Sequence, residues 1–369
     1  MNERVIVALS GGVDSAVAAL LLRRTGHEVE ALHMTNWEED EAGYCSAAAD
    51  WQDARRVAAE LGIPIHRVSF AAEYRERVFA HFLADYAAGL TPNPDVLCNR
   101  EVKFGVCLDY AKRLGASRLA TGHYARIEVR AGRARLLRAR DRDKDQCYFL
   151  QQMPRTALAQ TLFPLGALDK REVREIARAA GLPVHDRPDS TGICFIGERP
   201  FRAFLESYLE ARPGWIETPA GERLGRHAGL MHHTIGQRQG LRIGGLARHA
   251  GTPWYVASKD VERNALVVVQ GHDHPLLQSR AFCTGPITWL APAPAQALTA
   301  SVQVRHRQAA VACHLDWSPD GGEVRLGAPL RGIAPGQHAA FFADEECLGG
   351  GVILRAPVAD AAKLDSTAA

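Results

Sequence analysis

The run VIVALSGGVDSAV, residues 5 to 17, constrains this chain more than any other stretch. Val5 to Leu9 form a short apolar segment rich in β-branched residues, as expected of a strand buried on both faces. Ser10, Gly11 and Gly12 interrupt it. From Val13 the apolar spacing (Val13, Ala16, Val17, Leu20, Leu21) becomes helical. A strand that turns through two glycines straight into a helix aims backbone N–H groups and a helix N-terminus at one point, which suits a phosphate. Ser10, Asp14 and Ser15 add groups able to hold phosphate oxygens or a magnesium ion.

The loop has neither the G-x-x-x-x-G-K-[ST] spacing of a Walker P-loop nor the G-x-G-x-x-G of a dinucleotide fold. S-G-G-x-D-S instead resembles the signature of the ATP pyrophosphatase (PP-loop) proteins. That resemblance implies cleavage of ATP between its α and β phosphates and adenylation of a carbonyl-type oxygen.

With 369 residues, two or three domains are expected. Residues 1–122 alternate strand and helix patterns: a strand from Glu28 to Met34, a helix from Ala47 to Leu61, a strand from Ile65 to Phe70. Helices are expected over Glu73 to Tyr86 and Glu101 to Leu114, and a strand over Arg118 to Thr121. Such βα repeats predict a parallel sheet with ligands at the carboxyl ends of its strands, where Gly11, Gly12, Met34 and Gly122 fall. A hairpin around Ala131-Gly132 and helices near 170–180 and 199–210 complete a catalytic domain, residues 1–212. A glycine-rich, β-rich central domain (213–275), a small C-terminal β-barrel (276–357) and a disordered tail (358–369) follow.

Composition narrows the function classes. A hydrophobic fraction of 47% with 23% charged residues suits a globular protein. No apolar run is long enough to span a bilayer. The eight cysteines are scattered without any C-x-x-C, which argues against a zinc ribbon and a disulfide-stapled secreted domain. The cytoplasm is the expected compartment, and a monomer the expected state. Net charge is only +2, so a nucleic-acid partner would have to be met by local charge. Arg126 to Lys144 carries such an excess, five positive charges net, on the expected hairpin, where it could track phosphates.

Two cysteines stand beside polar residues. TPNPDVLCNREVKF (91–104) puts stiffening prolines, Asn93 and Asp95 ahead of Cys98. Cys98 is expected in a loop near a helix N-terminus, with Arg100 and Lys103 favouring its thiolate. RPDSTGICFIGERP (187–200) carries Cys194 in a similar loop.

ALSGGVDSAV, NPDVLCNREVKF, TGHYAR, KDQCYFL, DSTGICFIGER and TIGQRQGL, in this order and spanning about the whole chain, resemble the bacterial tRNA-specific 2-thiouridylase family. The resemblance implies ATP-dependent activation of O2 of the wobble uridine, at position 34 of tRNA, and sulfur delivery by two cysteines. By motif, Cys98 is the nucleophile and Cys194 the persulfide bearer, the two ending as a disulfide. Ala8, Leu9, Ser10, Gly11, Gly12, Val13, Asp14, Ser15, Met34 and Gly122 match ATP-contacting positions. Asn93, Pro94 and Asp95 match the part that meets the target base, with Asp95 a candidate acid/base. His123, Lys144, Asp145, Gln146, Arg305, His306 and Gln337 match tRNA-contacting positions, and the resemblance implies that the central domain, 213–275, contacts tRNA.

The implied chemistry accounts for the residue types. The C2 carbonyl of uracil is a poor electrophile, and adenylation of O2 supplies AMP as leaving group. Sulfur then arrives either by attack of a Cys194 persulfide, released by Cys98, or as hydrosulfide after Cys98 attacks first. The wobble base must be splayed from its stack to be reached. The partners implied are tRNA and a sulfur-donor protein, a cysteine desulfurase or sulfur-relay protein. The cofactors are ATP and Mg2+; an iron–sulfur cluster on Cys98, Cys194 and a carboxylate is the less favoured alternative. Departures from the family pattern are Cys147, where Ser is common, and the pair His232-His233, expected as a surface or RNA contact. The enzymatic rival is another PP-loop ligase, GMP synthetase-like or argininosuccinate synthetase-like.

Overall fold

The structure is a computed structural model and describes residues 3–37, 46–188, 201–243, 251–295 and 297–356. Strands β1 (Arg4–Ala8), β2 (Glu28–Thr35), β3 (Ile65–Ser69), β4 (Arg118–Ala120) and the short β7 (Thr161–Leu162) form a parallel sheet in the order β3-β2-β1-β4-β7. β1 lies in the middle, as its continuous apolar run requires, with Val5, Ile6 and Val7 fully buried. Its pleat divides the core: Ile6, Leu32 and Leu119 face one cluster, Val5, Val7, Ala31 and Ala120 the other. Helices α1 (Val13–Arg24) and α2 (Ser46–Leu61) cover the second face. Helical segments over 71–87 (α3) and 94–113 (α4) cover the first.

The chain runs β1, β2, β3 to one side of the sheet and resumes with β4 on the other. The order therefore reverses between β1 and β4, where open α/β sheets bind ligands. The glycines that follow β1 and the glycine that follows β4 stand at that point.

α4 begins earlier than its periodicity predicts. Asn93 caps it by accepting from the Asp95 N–H (3.2 Å), and Pro94 occupies the first helical position. The segment Cys98–Cys107 is wound as π-helix, and Gly105 leaves helical geometry (φ −102°, ψ −106°). Wide turns of this kind are frequent at functional sites.

The expected hairpin is present as β5 (Ala125–Arg130) and β6 (Arg133–Arg138), turning through Ala131 and Gly132, both at positive φ. It continues into the C-terminal sheet through Leu137–Glu346 and Leu136–Cys347 pairing. The central domain is a four-stranded sheet of β8 (Gly214–Glu217), β9 (Arg223–His227), β10 (Trp254–Asp260) and β11 (Ala265–Gln270), in the order β10-β11-β8-β9. The C-terminal domain is a closed six-stranded barrel. Its strands are β12 (Gln278–Thr284), β14 (Leu298–Gln303), β15 (Val311–Ser318), β16 (Gly321–Arg331), β17 (His338–Ala343) and β18 (Glu346–Arg355), closed by β12–β18 pairing, with β13 (Thr288–Trp289) attached to β18. Closure removes the open edges that six free strands would expose. Among the described residues no helix is long and apolar enough to cross a membrane.

Candidate functional site

Gly11 follows β1 at φ +89°, a conformation that favours glycine. A Cβ there would also stand 2.4 Å from the Asp50 carbonyl oxygen. Gly12 supplies no side chain to cap α1, so the first turn points its N–H groups outward without a side-chain partner at the cap. Ser15 donates to the Gly12 carbonyl (3.1 Å) and accepts from the Ser10 N–H (3.2 Å), which cinches the loop. Gly122, after β4, lies so close to α1 that a Cβ would come within 2.7 Å of the Ser15 nitrogen. Ala8, Leu9, Val13 and Met34 line the same strand ends, and Leu9 accepts from His33 through its carbonyl (2.9 Å).

Three residues not singled out in the sequence hold this loop. Lys170 donates to both Asp14 oxygens (2.7 and 2.8 Å), and the Tyr124 hydroxyl donates to the same carboxylate (2.9 Å). Arg187 donates to the Gly11 carbonyl (2.9 Å) and to Asp53 (2.7 Å), and pairs with Asp50. The signal for Lys170 was available: Asp169 and Glu172 form a capping box, which puts Lys170 in the first turn of helix Lys170–Ala179.

Tyr124 also links this loop to a second group of motifs. Its N–H donates to the Gln146 side chain and its carbonyl accepts from the Gln146 N–H, both at 2.9 Å. Beyond Gln146, the Tyr148 hydroxyl reaches the carbonyls of Val304 and His338 (3.3 and 3.2 Å) and also meets Asn93. Gln337 donates to the Thr91 carbonyl (2.8 Å), and the His306 ring packs 4.5 Å from that of Phe149. Burial, helped by Arg307, lowers the His306 pKa, while Asp145 and Asp95 pull it up. Segments 91–95, 144–148, 303–306 and 337–338 thus converge, although they span most of the chain. Arg305 is tied to the Ile235 carbonyl (2.7 Å), linking the barrel to the central domain.

His123 accepts or donates at Thr121 Oγ1 (2.7 Å) and packs between Phe104 and Phe163. Burial, with Lys103 adding, holds its pKa well below the usual value, so it is neutral at pH 7. Asp145 is buried, accepting from Arg138 (2.8 Å) and the Ala139 N–H (2.9 Å). The Lys144 N–H donates to Asp141.

Several expectations need correction. Cys98 stands inside α4, not in a loop before it, and is only 1% exposed within the core cluster that also holds Phe82 and Phe104. The hairpin arginines face carboxylates: Arg133 and Arg135 bind Glu346, Arg126 and Arg142 bind Glu345, and Arg138 binds Asp145. Their charge joins hairpin to barrel, where a free basic ribbon was expected. His232 and His233 are largely buried, the first in a 3-10 turn (Leu230–His232), not at the surface. Cys147 is fully buried and donates to the Leu137 carbonyl (3.1 Å), with burial and Asp145 raising its pKa well above the thiol range. Cys194 lies outside the described residues, as does the 358–369 tail.

A parallel sheet whose switch point carries an uncapped helix N-terminus and a glycine cradle defines a nucleotide-binding α/β protein, here with two β domains built on. Comparison with known proteins takes this further. Residues 3–198 match the family model described as "tRNA methyl transferase HUP domain", 202–270 the "tRNA methyl transferase PRC-barrel domain", and 279–353 the "Aminomethyltransferase beta-barrel domain". The chain is 54% identical over 355 residues to the tRNA-specific 2-thiouridylase MnmA of Chromohalobacter salexigens, covering 95% of this chain and 92% of that one. It is likewise 54% identical over 357 residues to the MnmA of Stutzerimonas stutzeri, covering 96% and 95%. Among solved structures, NMN synthetase from Francisella tularensis overlaps at 21% identity and a TM-score of 0.33, over 51% of this chain and 67% of that one, too little to carry an argument. The chain belongs to the tRNA-specific 2-thiouridylase family.

Proposed function

We propose that this protein is a tRNA-uridine 2-sulfurtransferase, which uses ATP to replace O2 of the wobble uridine with sulfur. Its family membership carries this reading over the GMP synthetase-like and argininosuccinate synthetase-like alternatives. ATP is taken as substrate in the crevice between β1 and β4. The fit is steric and electrostatic: Gly11 and Gly122 allow the loop and β4 to approach Asp50 and the first turn of α1 more closely than a Cβ would permit, and α1 presents its positive end there. Asp14, with the hydroxyls of Ser10 and Ser15 and phosphate oxygens, makes a donor set suited to Mg2+, which when bound would neutralise charge on the departing pyrophosphate. Lys170 and Tyr124 keep the Asp14 carboxylate oriented toward the loop.

O2 of the uridine attacks the α-phosphorus, expelling pyrophosphate. The terminal sulfur of a Cys194 persulfide then attacks C2 and expels AMP, leaving sulfur joined to Cys194 by an S–S bond. Cys98 thiolate attacks the Cys194 sulfur, the electron pair of the broken bond stays on the base sulfur, and the products are 2-thiouridine and a Cys98–Cys194 disulfide. In the alternative order Cys98 attacks first and frees hydrosulfide beside the adenylated base. Two anchors support the reach of the Cys194 segment. Arg187, seven residues before it, is bound to Gly11, and Phe201, seven after it, packs on Phe82 and Tyr86 in the core that holds Cys98. Seven extended residues span at most roughly 25 Å.

The converged segments 91–95, 144–148, 303–306 and 337–338 are read as the anticodon-loop surface. Within it Asn93, Pro94 and Asp95 meet the base, Asp95 serves as acid/base, and Lys144, Asp145, Gln146, Arg305, His306 and Gln337 support the RNA, with His123 a further RNA-supporting residue outside it. The domain division 1–212, 213–275 and 276–357 belongs to the same reading, as do a protein sulfur donor, a monomeric state and a cytoplasmic location. Nucleoside mass spectrometry of unmodified tRNA incubated with the protein, ATP, Mg2+ and a persulfide source tests it: 2-thiouridine at the wobble position is expected. Unchanged uridine in a preparation that binds both substrates overturns it. Iron analysis of anaerobically purified protein checks the cluster alternative.

A further inference from the structure

The segment 88–93, which leads into α4, belongs to no strand or helix of its own. Distant parts of the chain hold it. Lys259 Nζ donates to the Gly89 carbonyl (3.0 Å), the Thr91 N–H donates to the Pro335 carbonyl (2.9 Å), and Gln337 donates to the Thr91 carbonyl (2.8 Å). The last hold, at Asn93, fixes where α4 starts. Asn93 Oδ1 accepts from the Asp95 N–H (3.2 Å), which leaves its amide nitrogen to meet the oxygen of Tyr148.

Tyr148 is fully buried in the short helix Cys147–Leu150. A phenolic hydroxyl both donates and accepts, and here each capacity is used. Its proton is offered to the carbonyls of His338 (3.2 Å) and Val304 (3.3 Å) and to Gln337 Oε1 (3.4 Å), while its oxygen accepts from the His338 N–H (3.3 Å) and from Asn93. The barrel therefore fixes the hydroxyl from two sides, after β14 and at the start of β17. Burial raises the Tyr148 pKa far above neutrality, so the group acts by its position and not by proton transfer. Two residues earlier, Gln146 is bonded to Tyr124, whose hydroxyl donates to Asp14 of the ATP loop (2.9 Å). One short segment thus references both the ATP loop and the helix that carries Asp95 and Cys98.

We propose that Tyr148 is a positioning residue for sulfur transfer, acting through Asn93 to set the first turn of α4, and with it Asp95 and Cys98, against the ATP loop. The proposal rests on the thiolation reading above. Without the hydroxyl, the Asn93 amide loses this hold and the side chain is free to turn about χ1, so its oxygen no longer stays on the Asp95 N–H. A shift of reacting groups by about 1 Å is enough to cost about a hundredfold in rate. The groups that hold ATP, at 10–15 and 122, keep their own contacts meanwhile.

Tyr148→Phe keeps the ring, which packs edge-on to Phe149 at 5.5 Å, and removes only the hydroxyl. The assay is single-turnover thiolation of an unmodified tRNA transcript by persulfide-loaded full-length protein at saturating ATP and tRNA, with rates normalised to the fraction of protein that binds tRNA. The rate is expected to fall about 10-fold to 100-fold, with ATP and tRNA dissociation constants within about twofold of wild type. Lost stability alone would not produce that split. Asn93→Ser retains a capping oxygen and lacks the amide, and is expected to slow thiolation to a similar degree. The double variant should be no slower than the slower single one, because both changes remove the same contact. A wild-type normalised rate in Tyr148→Phe overturns the proposal. Losses that multiply in the double variant also overturn it, since Asn93 would then act on the base independently of Tyr148. Should Tyr148→Phe fail to fold, Asn93→Ser, at a partly exposed position, decides alone: a wild-type rate there overturns the proposal. Wild-type protein that forms no 2-thiouridine overturns the thiolation reading itself, whereas an active wild type with unimpaired variants overturns only the role of Tyr148.

Discussion

Gly122→Ala is the sharpest probe of the ATP crevice. The new methyl carbon would stand 2.7 Å from the Ser15 nitrogen, 2.8 Å from the Asp14 carbonyl carbon and 3.1 Å from the Asp14 Cβ. Two of these are backbone atoms in the first turn of α1, so no side-chain rotation relieves the clash. Either β4 or the helix N-terminus must retreat by several tenths of an ångström, in a core where Val13, Ala16 and Val17 are already fully packed. Overpacking of this kind costs about 1–3 kcal/mol. At about 2–4 °C per kcal/mol for a domain of this size, a cost of about 2 kcal/mol lowers the melting temperature by about 4–8 °C. The retreat also moves the N–H groups that are to meet phosphate, and losing about 1.4 kcal/mol of that interaction is tenfold in affinity. Thermal melting and ATP titration of the variant therefore both read the same displacement. A variant with wild-type melting and wild-type ATP affinity would refute the reasoning, because neither the close approach nor the placement of ATP could then be right.

Lys170→Met removes the cation that holds both Asp14 oxygens, and should lower kcat/KM for ATP about 10-fold to 100-fold with the fold intact, by analogy with loss of a group that orients a ligand. Tyr124→Phe deletes one 2.9 Å hydrogen bond to the same carboxylate and should cost about 1 kcal/mol in the same assay. Burial depresses the Lys259 pKa from 10.5 to about 8. The folded state therefore holds fewer protons than the unfolded one between about pH 8 and 10.5, and stability rises with pH across that window. Below about pH 8 the penalty is fully present. Lys259→Met should lack this rise, seen as a stability difference from wild type that shrinks as pH climbs from 8 to 10 in denaturant titrations. A constant difference would contradict the depressed pKa.

The catalytic sheet was legible because β1 announces itself twice, by its apolar run and by the glycines that break it. The hairpin was legible at Ala131-Gly132, and a small barrel of short strands from the Pro and Gly turns between them, though not the number of its strands. Cys98 was misplaced because the prolines at 92 and 94 read as loop, whereas Pro94 is the first residue of a helix capped by Asn93. The arginines of β5 and β6 read as a solvent-facing ribbon because their partners, Glu345 and Glu346, lie more than two hundred residues away. Tyr124 and Arg187 escaped for the same reason: each acts on the loop at 10–15 from a distant element, whereas for Lys170 the capping box recorded its place at a helix start but not its contact with Asp14. His232 and His233 read as surface because no local pattern marks them as buried, while the 3-10 turn Leu230–His232 and the extended residue after it carry both inward.

The central claim, that two thiols serve one adenylated base, is tested most directly by a single turnover without added reductant, starting from protein loaded with one persulfide on Cys194. Peptide mapping of the product should find one Cys98–Cys194 disulfide for each 2-thiouridine formed. Thiolation at the wild-type rate by Cys98→Ser, or thiouridine accumulating with both thiols still reduced, would contradict it.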